Sequence, residues 1–122
     1  MSTSDYRGLD AWIKARALAS HIYRLTALFP RNEWFGLTQQ MRRAAISAPC
    51  NIAEGQGRRA TKDRINFLVI ARGSLHELET QALIAGDLEF ITEAEAEDVA
   101  SRTTEVTRLV NGLIRHYAKR IK

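Results

Sequence analysis

Three short stretches of the sequence contain residue types that could carry out chemistry, and each lacks a part that the chemistry needs. His76-Glu77 begins the pattern of a helical metalloprotease site, but Thr80 occupies the position of the second histidine ligand. The loop at 55–57 begins like a dinucleotide-binding fingerprint, yet it follows a predicted helix and not a strand. Cys50 stands beside a proline without a paired histidine, which predicts a small core residue and not a nucleophile. The sequence therefore predicts no enzyme, no metal and no cofactor.

Clustered basic residues offer a different chemistry, the binding of anions. Arg58 and Arg59 lie in a glycine-containing loop before a predicted helix, and a helix N-terminus flanked by glycine and arginine favours anions. Together with Lys62, Lys119 and Arg120 they are the predicted nucleic-acid-binding residues. The alternative is a solvated charge pattern in which each helix complements its own dipole. That alternative accounts for Lys119 and Arg120 but not for the arginine pair, and both remain open.

Four amphipathic segments must position these charges. In the first and last segments, apolar side chains recur at alternating spacings of three and four, which is typical of bundle helices. The two stripes are Ala11, Ala15, Leu18, Ile22, Leu25, Phe29 and Val99, Thr103, Val106, Val110, Leu113, Tyr117. Asp10 and Thr61 are predicted to cap the first and third helices, and Thr92 and Glu95 form a capping box before the last helix. Short links between long helices predict an all-α, up-down-up-down antiparallel four-helix bundle over 9–122, after a frayed segment 1–8.

The second segment, from about Trp34 to Gly55, contains a proline. Pro49 lacks an N–H and its ring crowds the carbonyl of Ala45, so a kink or break is expected near residue 48. Ser47 and Asn51 flank this point and can hydrogen-bond backbone groups that the proline frees. Gly55 is expected to close the helix in the left-handed conformation.

The third segment, from about Thr61 to residue 85, is apolar on more than one face. Phe67, Val69 and Ile70 add apolar surface that the core stripe of one subunit does not need. This pattern predicts a subunit interface and hence a homo-oligomer. Gly73, in the middle of the segment, is expected to mark a close helix crossing, since glycine is an unfavourable residue in a helix interior.

Six further charged residues lie within or near the middle of the second and third segments: Arg42, Arg43, Glu54, Arg72, Glu77 and Glu79. They form either a polyanion-binding stripe or a network of ion pairs within or between subunits. We favour the ion-pair interpretation for Glu54, Arg72 and Glu77. Arg42 and Arg43 are adjacent and point about 100° apart on a helix, and for these two the choice stays open.

Two motifs carry a resemblance to a known family. Residues 42–58 read Arg-Arg-Ala-Ala-Ile-Ser-Ala-Pro-Cys-Asn-Ile-Ala-Glu-Gly-Gln-Gly-Arg, and a second motif covers 67–79. The sequence resembles the bacterial four helix bundle protein family from about Trp12 to the last helix. That family includes proteins encoded in intervening sequences of large-subunit ribosomal RNA genes and the accessory variability proteins of diversity-generating retroelements. The resemblance implies a homopentameric ring and, through the retroelement proteins alone, a reverse transcriptase as partner.

Composition sets the remaining limits. The 122 residues carry a formal net charge of +4 and one cysteine, which excludes an internal disulfide. No apolar run reaches transmembrane length and no signal-peptide core is visible, so a cytoplasmic protein without a membrane partner is expected.

The favoured function is a non-catalytic, basic oligomer that binds RNA or DNA through phosphates. Sequence-specific recognition is not expected, because no groove-reading motif or stacking platform is evident. The alternative is a structural or protein-interaction module with no nucleic-acid role.

Overall fold

Four α-helices make up the computed structural model of the protein, which describes residues 5–121. They are α1 (Asp10–Thr26), α2 (Gln39–Gln56), α3 (Thr61–Asp87) and α4 (Glu93–Ala118). A short 3-10 turn at Tyr6–Gly8 precedes α1. Two turns, Arg31–Glu33 and a wider π turn at Trp34–Thr38, connect α1 to α2. The predicted all-α class with four helices is confirmed, and residues 5–121 contain no strand.

The helices pack on one another along the predicted apolar stripes. Consecutive helices are in contact, and α1 also contacts α4, as in a bundle. Every residue of the first predicted stripe is buried. In α4 the predicted inward residues are buried as well, except Leu113, which is partly buried against the core. Burial of these stripes is what holds the four helices together.

The helix ends confirm one predicted cap and correct two others. At the start of α4, Glu95 N donates to Thr92 Oγ1 at 3.1 Å and Thr92 N donates to Glu95 Oε1 at 2.8 Å, so the capping box is present. Asp10 and Thr61, by contrast, are the first helical residues of α1 and α3 and not their caps. The predicted frayed segment 1–8 lies partly outside the described residues, and its described part includes the turn Tyr6–Gly8.

Helix α2 differs from the prediction at its start. Gly36 has non-helical backbone angles, with φ −105° and ψ −116°, so α2 begins at Gln39 and not near Trp34. From there it continues through Pro49 as one helix to Gln56, without a break. A kink at this proline stays a prediction.

The polar residues beside Pro49 satisfy each other. Asn51 Nδ2 donates to the Ser47 carbonyl at 2.8 Å and to Ser47 Oγ at 2.9 Å. The Ala45 carbonyl loses its usual donor, because Pro49 has no N–H. Asn51 does not replace that donor, since it binds the carbonyl of Ser47. Ser74 Oγ of α3 donates to Ser47 Oγ at 2.7 Å and extends this network across the α2–α3 contact.

Gly55 and Gly73, two of the glycines in the family motifs, have roles other than those predicted. No glycine among residues 5–121 has a positive φ, so Gly55 does not end α2 in the left-handed conformation. Gly55 is buried within the helix, where an added Cβ would lie 3.1 Å from Phe67 Cβ and 3.2 Å from the Arg64 carbonyl oxygen. It allows α2 and α3 to approach closely. A Cβ on Gly73 would meet nothing within 4 Å, so Gly73 marks no close crossing within the chain.

None of the four described helices is long and apolar enough to cross a membrane.

Candidate functional site

The end of α2, the start of α3 and the end of α4 meet around a buried tyrosine. Gln56 Nε2 donates to Tyr117 Oη at 2.9 Å, and Arg64 Nη1 donates to the same oxygen at 3.2 Å. Arg64 Nε also donates to the Arg58 carbonyl oxygen at 2.6 Å. These hydrogen bonds fix the loop between α2 and α3 against the end of α4. We call this region the basic end, because it carries the predicted residues Arg58, Arg59, Lys62, Lys119 and Arg120.

Two of the predicted residues at the basic end have partners within the chain. The Arg58 guanidinium lies 4.8 Å from the centre of the Phe67 ring, and its Nη2 is 3.6 Å from Glu54 Oε1. Arg120 lies over the Tyr117 ring at 5.6 Å, and its Nη2 is 3.2 Å from His116 Nε2. Both side chains are still solvent-accessible, but Glu54 neutralises part of the charge of Arg58.

The other three predicted residues are free to meet a ligand. Arg59, Lys62 and Lys119 are exposed. Within residues 5–121, none of the three forms an ion pair with a carboxylate. The basic end is therefore a surface of exposed positive charges held on a fixed backbone.

The network behind this surface was not predicted as such. Tyr117 was assigned to the core stripe, which is correct, but its hydroxyl also connects residues 61 positions apart in the sequence. No local pattern marks such a contact. Gln56 continues the inward stripe of α2 with a polar side chain. At 4% exposure its amide needs a hydrogen-bonding partner, which Tyr117 provides from across the bundle.

The adjacent arginines of α2 lie in different environments. The Arg42 guanidinium is placed between two aromatic rings, 4.5 Å from the centre of the Tyr23 ring and 5.2 Å from that of Trp34. Its Nε donates to Thr26 Oγ1 at 2.8 Å and its Nη2 to the Tyr23 carbonyl at 3.1 Å. Arg43 is exposed. Arg42 thus joins α1 to α2 through aromatic and neutral partners, with no carboxylate among its described contacts.

The remaining mid-helix charges form one ion pair within residues 5–121, and ion pairs between subunits stay a prediction. Arg72 Nη1 donates to Asn111 Oδ1 at 2.8 Å, so its described partner is a neutral amide of α4. Glu54, in the last turn of α2, pairs with Arg58 of the loop that follows. Glu77 is exposed and has no ion-pair partner among residues 5–121.

The predicted interface residues of α3 divide into two kinds. Val69 and Ile70 are 40% and 44% exposed. Phe67 is partly buried and contacts Arg58 and the α2 backbone at Gly55. The outer face of α3 therefore offers Val69 and Ile70 to solvent, whereas Phe67 is largely used inside the chain.

Two polar contacts connect α1 to α4. Lys14 Nζ lies 2.8 Å from Glu105 Oε1, and this hydrogen bond raises the pKa of Lys14 and lowers the pKa of Glu105. His21 Nε2 lies 3.5 Å from Asp98 Oδ2. The pKa of His21 is nevertheless lowered, because burial and then the charge of Arg102 outweigh the attraction of Asp98.

Metal-binding clusters are absent from the part of the chain that the structure describes. No group of three or more His, Cys, Asp or Glu side chains is placed to hold a metal ion there. Cys50 is exposed, so its predicted place in the core is wrong. The reason is geometric: the continuous α2 turns Ala48 and Ile52 inward, which leaves Cys50 on the outer face.

Comparison with known proteins agrees with the motifs. Residues 7–112 match the family described as 23S rRNA-intervening sequence protein. A crystal structure from Bacteroides thetaiotaomicron, described as a protein of unknown function from the S23 ribosomal protein family, superposes with a TM-score of 0.79. The two sequences are 27% identical, and the match covers 85% of this chain and 97% of the other. No curated protein matches the sequence. The predicted resemblance is confirmed for the intervening-sequence proteins.

Proposed function

The chain belongs to the 23S rRNA-intervening sequence protein family, and we propose that it acts without catalysis, as a basic homo-oligomer that binds nucleic acid through phosphates. RNA and DNA would both bind, since phosphate contacts carry no sequence information. The proposal places binding at the basic end, with Arg59, Lys62 and Lys119 as the contacts to phosphate and Arg58 and Arg120 beside them.

The observation that carries this proposal is the convergence of three helix ends on Tyr117. The contacts of Gln56 and Arg64 with that hydroxyl bring together basic residues that are far apart in sequence. Acidic residues are concentrated elsewhere: from Glu77 to Asp98 the sequence carries eight acidic residues and no basic one. A positive surface separated from a negative one attracts polyanions more strongly than a net charge of +4 alone would.

The proposed subunit is an up-down-up-down antiparallel bundle. Contacts between helices support this order, because the residue numbers on the two sides run in opposite directions. Lys14 and His21 of α1 meet Glu105 and Asp98 of α4. The Ser74–Ser47 hydrogen bond and the Gly55–Phe67 approach repeat the pattern between α3 and α2.

The proposed assembly is a pentameric ring with its axis along the bundles, in which Val69 and Ile70 lie at the subunit interface. Every subunit would then present its basic end on the same side. One exposed charge is screened within about 8–10 Å in physiological salt. Several neighbouring charges can neutralise several phosphates and release their counterions together. A reverse transcriptase as partner rests on the resemblance to retroelement proteins alone.

Salt dependence of binding tests the proposal. A fluorescent duplex DNA is titrated with the full chain at increasing salt concentrations, and the affinity is plotted on logarithmic axes. Each neutralised phosphate should contribute a slope of about −0.9. The double variant Arg59→Glu, Lys62→Glu should weaken binding strongly, reduce the slope and leave the oligomer intact.

Two control variants separate the basic end from net charge. Arg31→Glu with Arg108→Glu changes the total charge equally at exposed positions outside the basic end and should leave most of the affinity intact. Glu93→Lys with Glu97→Lys, on α4 far from the basic end, should not weaken binding. If the wild type binds no nucleic acid even at low salt, the chain is a structural or protein-interaction module. If Arg59→Glu, Lys62→Glu dissociates the oligomer, these residues form intersubunit ion pairs.

A further inference from the structure

Two adjoining cavities lie between α1 and α2, away from the basic end. Their volumes are about 640 and 490 Å³, and both are depressions of the surface that are wide open to solvent. Tyr23 and Ile46 line both cavities, so the two adjoin each other at these side chains. We call them together the α1–α2 groove. Trp34 lines one end and Pro49 the other, which gives the groove a largely apolar and aromatic floor.

The charged residues of this groove are all of one sign. Arg42 and Arg43 line the first cavity, and Arg16 and Arg24 line the second. No lining residue of either cavity is acidic. The arginines that pair with carboxylates in the described chain are Arg58 and Arg102, which lie elsewhere. An uncompensated set of arginines attracts an anionic ligand, and a guanidinium can bind a phosphate through two hydrogen bonds.

The aromatic rings of the groove are held in place before any ligand arrives. Arg42 lies between the rings of Tyr23 and Trp34, and its hydrogen bond to the buried Thr26 fixes the guanidinium. Thr26 is itself anchored, since its Oγ1 donates to the Ile22 carbonyl at 2.7 Å. Tyr23 and Trp34 remain 41% and 52% exposed. Each of the two residues therefore combines a contact to Arg42 with surface that is still open to solvent.

We propose that the α1–α2 groove binds a short segment of single-stranded nucleic acid, with unpaired bases stacked on Tyr23 and Trp34 and phosphates bound by Arg24 and Arg43. This inference rests on the proposed nucleic-acid function and adds to it a preference for unpaired strands. In a duplex the bases stack on one another and are not available to protein rings, whereas a single strand exposes them. The groove extends about 12 Å along α1 from Arg16 to Arg24, so it accommodates only a few nucleotides.

The experiment compares two single-stranded probes of equal charge. One is a fluorescent twelve-residue oligouridine, and the other is an abasic strand with the same number of phosphates. The basic end binds both through phosphates, while only the oligouridine can stack. The wild-type protein should bind the oligouridine about tenfold more tightly or better, the factor expected from stacking of one base.

Variants show which residues cause the preference for oligouridine over the abasic strand. Tyr23→Leu and Trp34→Leu should abolish the preference for oligouridine and retain binding of the abasic strand. Phe35→Leu is the matched control, since Phe35 is 83% exposed, follows Trp34 directly and lines neither cavity. Arg24→Ala with Arg43→Ala, at two exposed positions, should weaken oligouridine binding without affecting the fold, whereas Arg31→Ala with Arg108→Ala should not.

Each outcome decides between the two proposals. Equal binding of the two probes by the wild type overturns the groove and leaves the basic end intact. Binding of the oligouridine but not of the abasic strand supports the groove and overturns the basic end. Absence of binding to both probes overturns both. If Tyr23→Leu or Trp34→Leu dissociates the oligomer, a second copy of the chain occupies the groove and the single-strand proposal is wrong.

Discussion

Glu89 is the only non-glycine residue among 5–121 with a positive φ, at 63°. It follows α3 in a closing motif in which Phe90 N donates to the Ala85 carbonyl and Glu89 N to the Gly86 carbonyl. The left-handed conformation costs an L-residue about 1–2 kcal/mol, and glycine avoids this cost. Glycine also raises the conformational entropy of the unfolded chain, which cancels part of the gain in stability. We expect Glu89→Gly to raise the free energy of unfolding by about 0.5–1 kcal/mol. Urea unfolding monitored by circular dichroism measures it.

The matched control removes the same charge from a helical position. Glu97 is exposed within α4, and Glu97→Gly should lower the free energy of unfolding by about 1 kcal/mol. A loss of stability in both variants would show that the carboxylate of Glu89 stabilises the turn more than its backbone strains it.

His21 predicts how stability responds to mild acid. Burial lowers its pKa below the ordinary value of 6.5, so the unfolded chain takes up the proton first as the pH falls. The free energy of unfolding should therefore decrease as the pH falls from 6.5 towards the folded-state pKa. His21→Gln should reduce this dependence in urea unfolding at successive pH values, and His76→Gln should retain it. A wild-type protein that becomes more stable on acidification would show that the imidazolium–Asp98 attraction dominates.

At the scale of the helices, Gly55 and Gly73 give opposite expectations for the same substitution. Gly73→Ala places a methyl group in open space on an exposed helical position and should stabilise the protein by about 0.5–1 kcal/mol. Gly55→Ala pushes a methyl group against Phe67 and the backbone of Arg64, and should destabilise it by about 1–3 kcal/mol. Unfolding free energies of the two variants test both. A loss of stability in Gly73→Ala would show that another subunit packs on this face.

These glycines also show what the sequence determines at this scale. The apolar spacing predicted the four helices and the inward residues of α1 and α4, because burial of a stripe has a period that can be counted. The capping box was predictable because it is local. The roles of Gly55 and Gly73 were not, since whether a glycine faces a neighbouring helix or solvent depends on the packing between helices. The same holds for Cys50, whose exposure follows from α2 continuing through Pro49.

For the molecule as a whole, the sequence predicted the basic end better than the groove. Arg58 and Arg59 belong to one loop, so their clustering is visible in the sequence. Arg24 and Arg43 lie along one groove only because α1 and α2 pack side by side, and the stacking of Tyr23 and Trp34 on Arg42 depends on the turn at Trp34–Thr38. Tyr23 lies off the stripe of α1 that faces the core, and the structure leaves it 41% exposed.

The outer face of α3 carries the exposed apolar residues from which an oligomer is expected. Val69, Ile70, Leu83 and Ile84 are each 40–44% exposed along this helix. They form two exposed apolar pairs about four helical turns apart, and exposed apolar side chains of this kind are candidate contacts to another subunit. The wild-type protein should therefore have a mass in solution above the 13.8 kDa of one chain, and a pentamer would have five times that mass. Light scattering at micromolar concentration measures it.

Charge placed on the α3 face should separate the subunits. Val69→Asp with Ile70→Asp introduces two carboxylates that an apolar interface cannot solvate, so the variant should become a folded monomer. Leu28→Asp is the control: at 84% exposure Leu28 is the most exposed of the large apolar residues, but it lies in the turn after α1, beyond the lateral face of the bundle. That variant should remain oligomeric. A wild-type monomer would exclude the ring, and an oligomer that persists in the double variant would place the interface on another face.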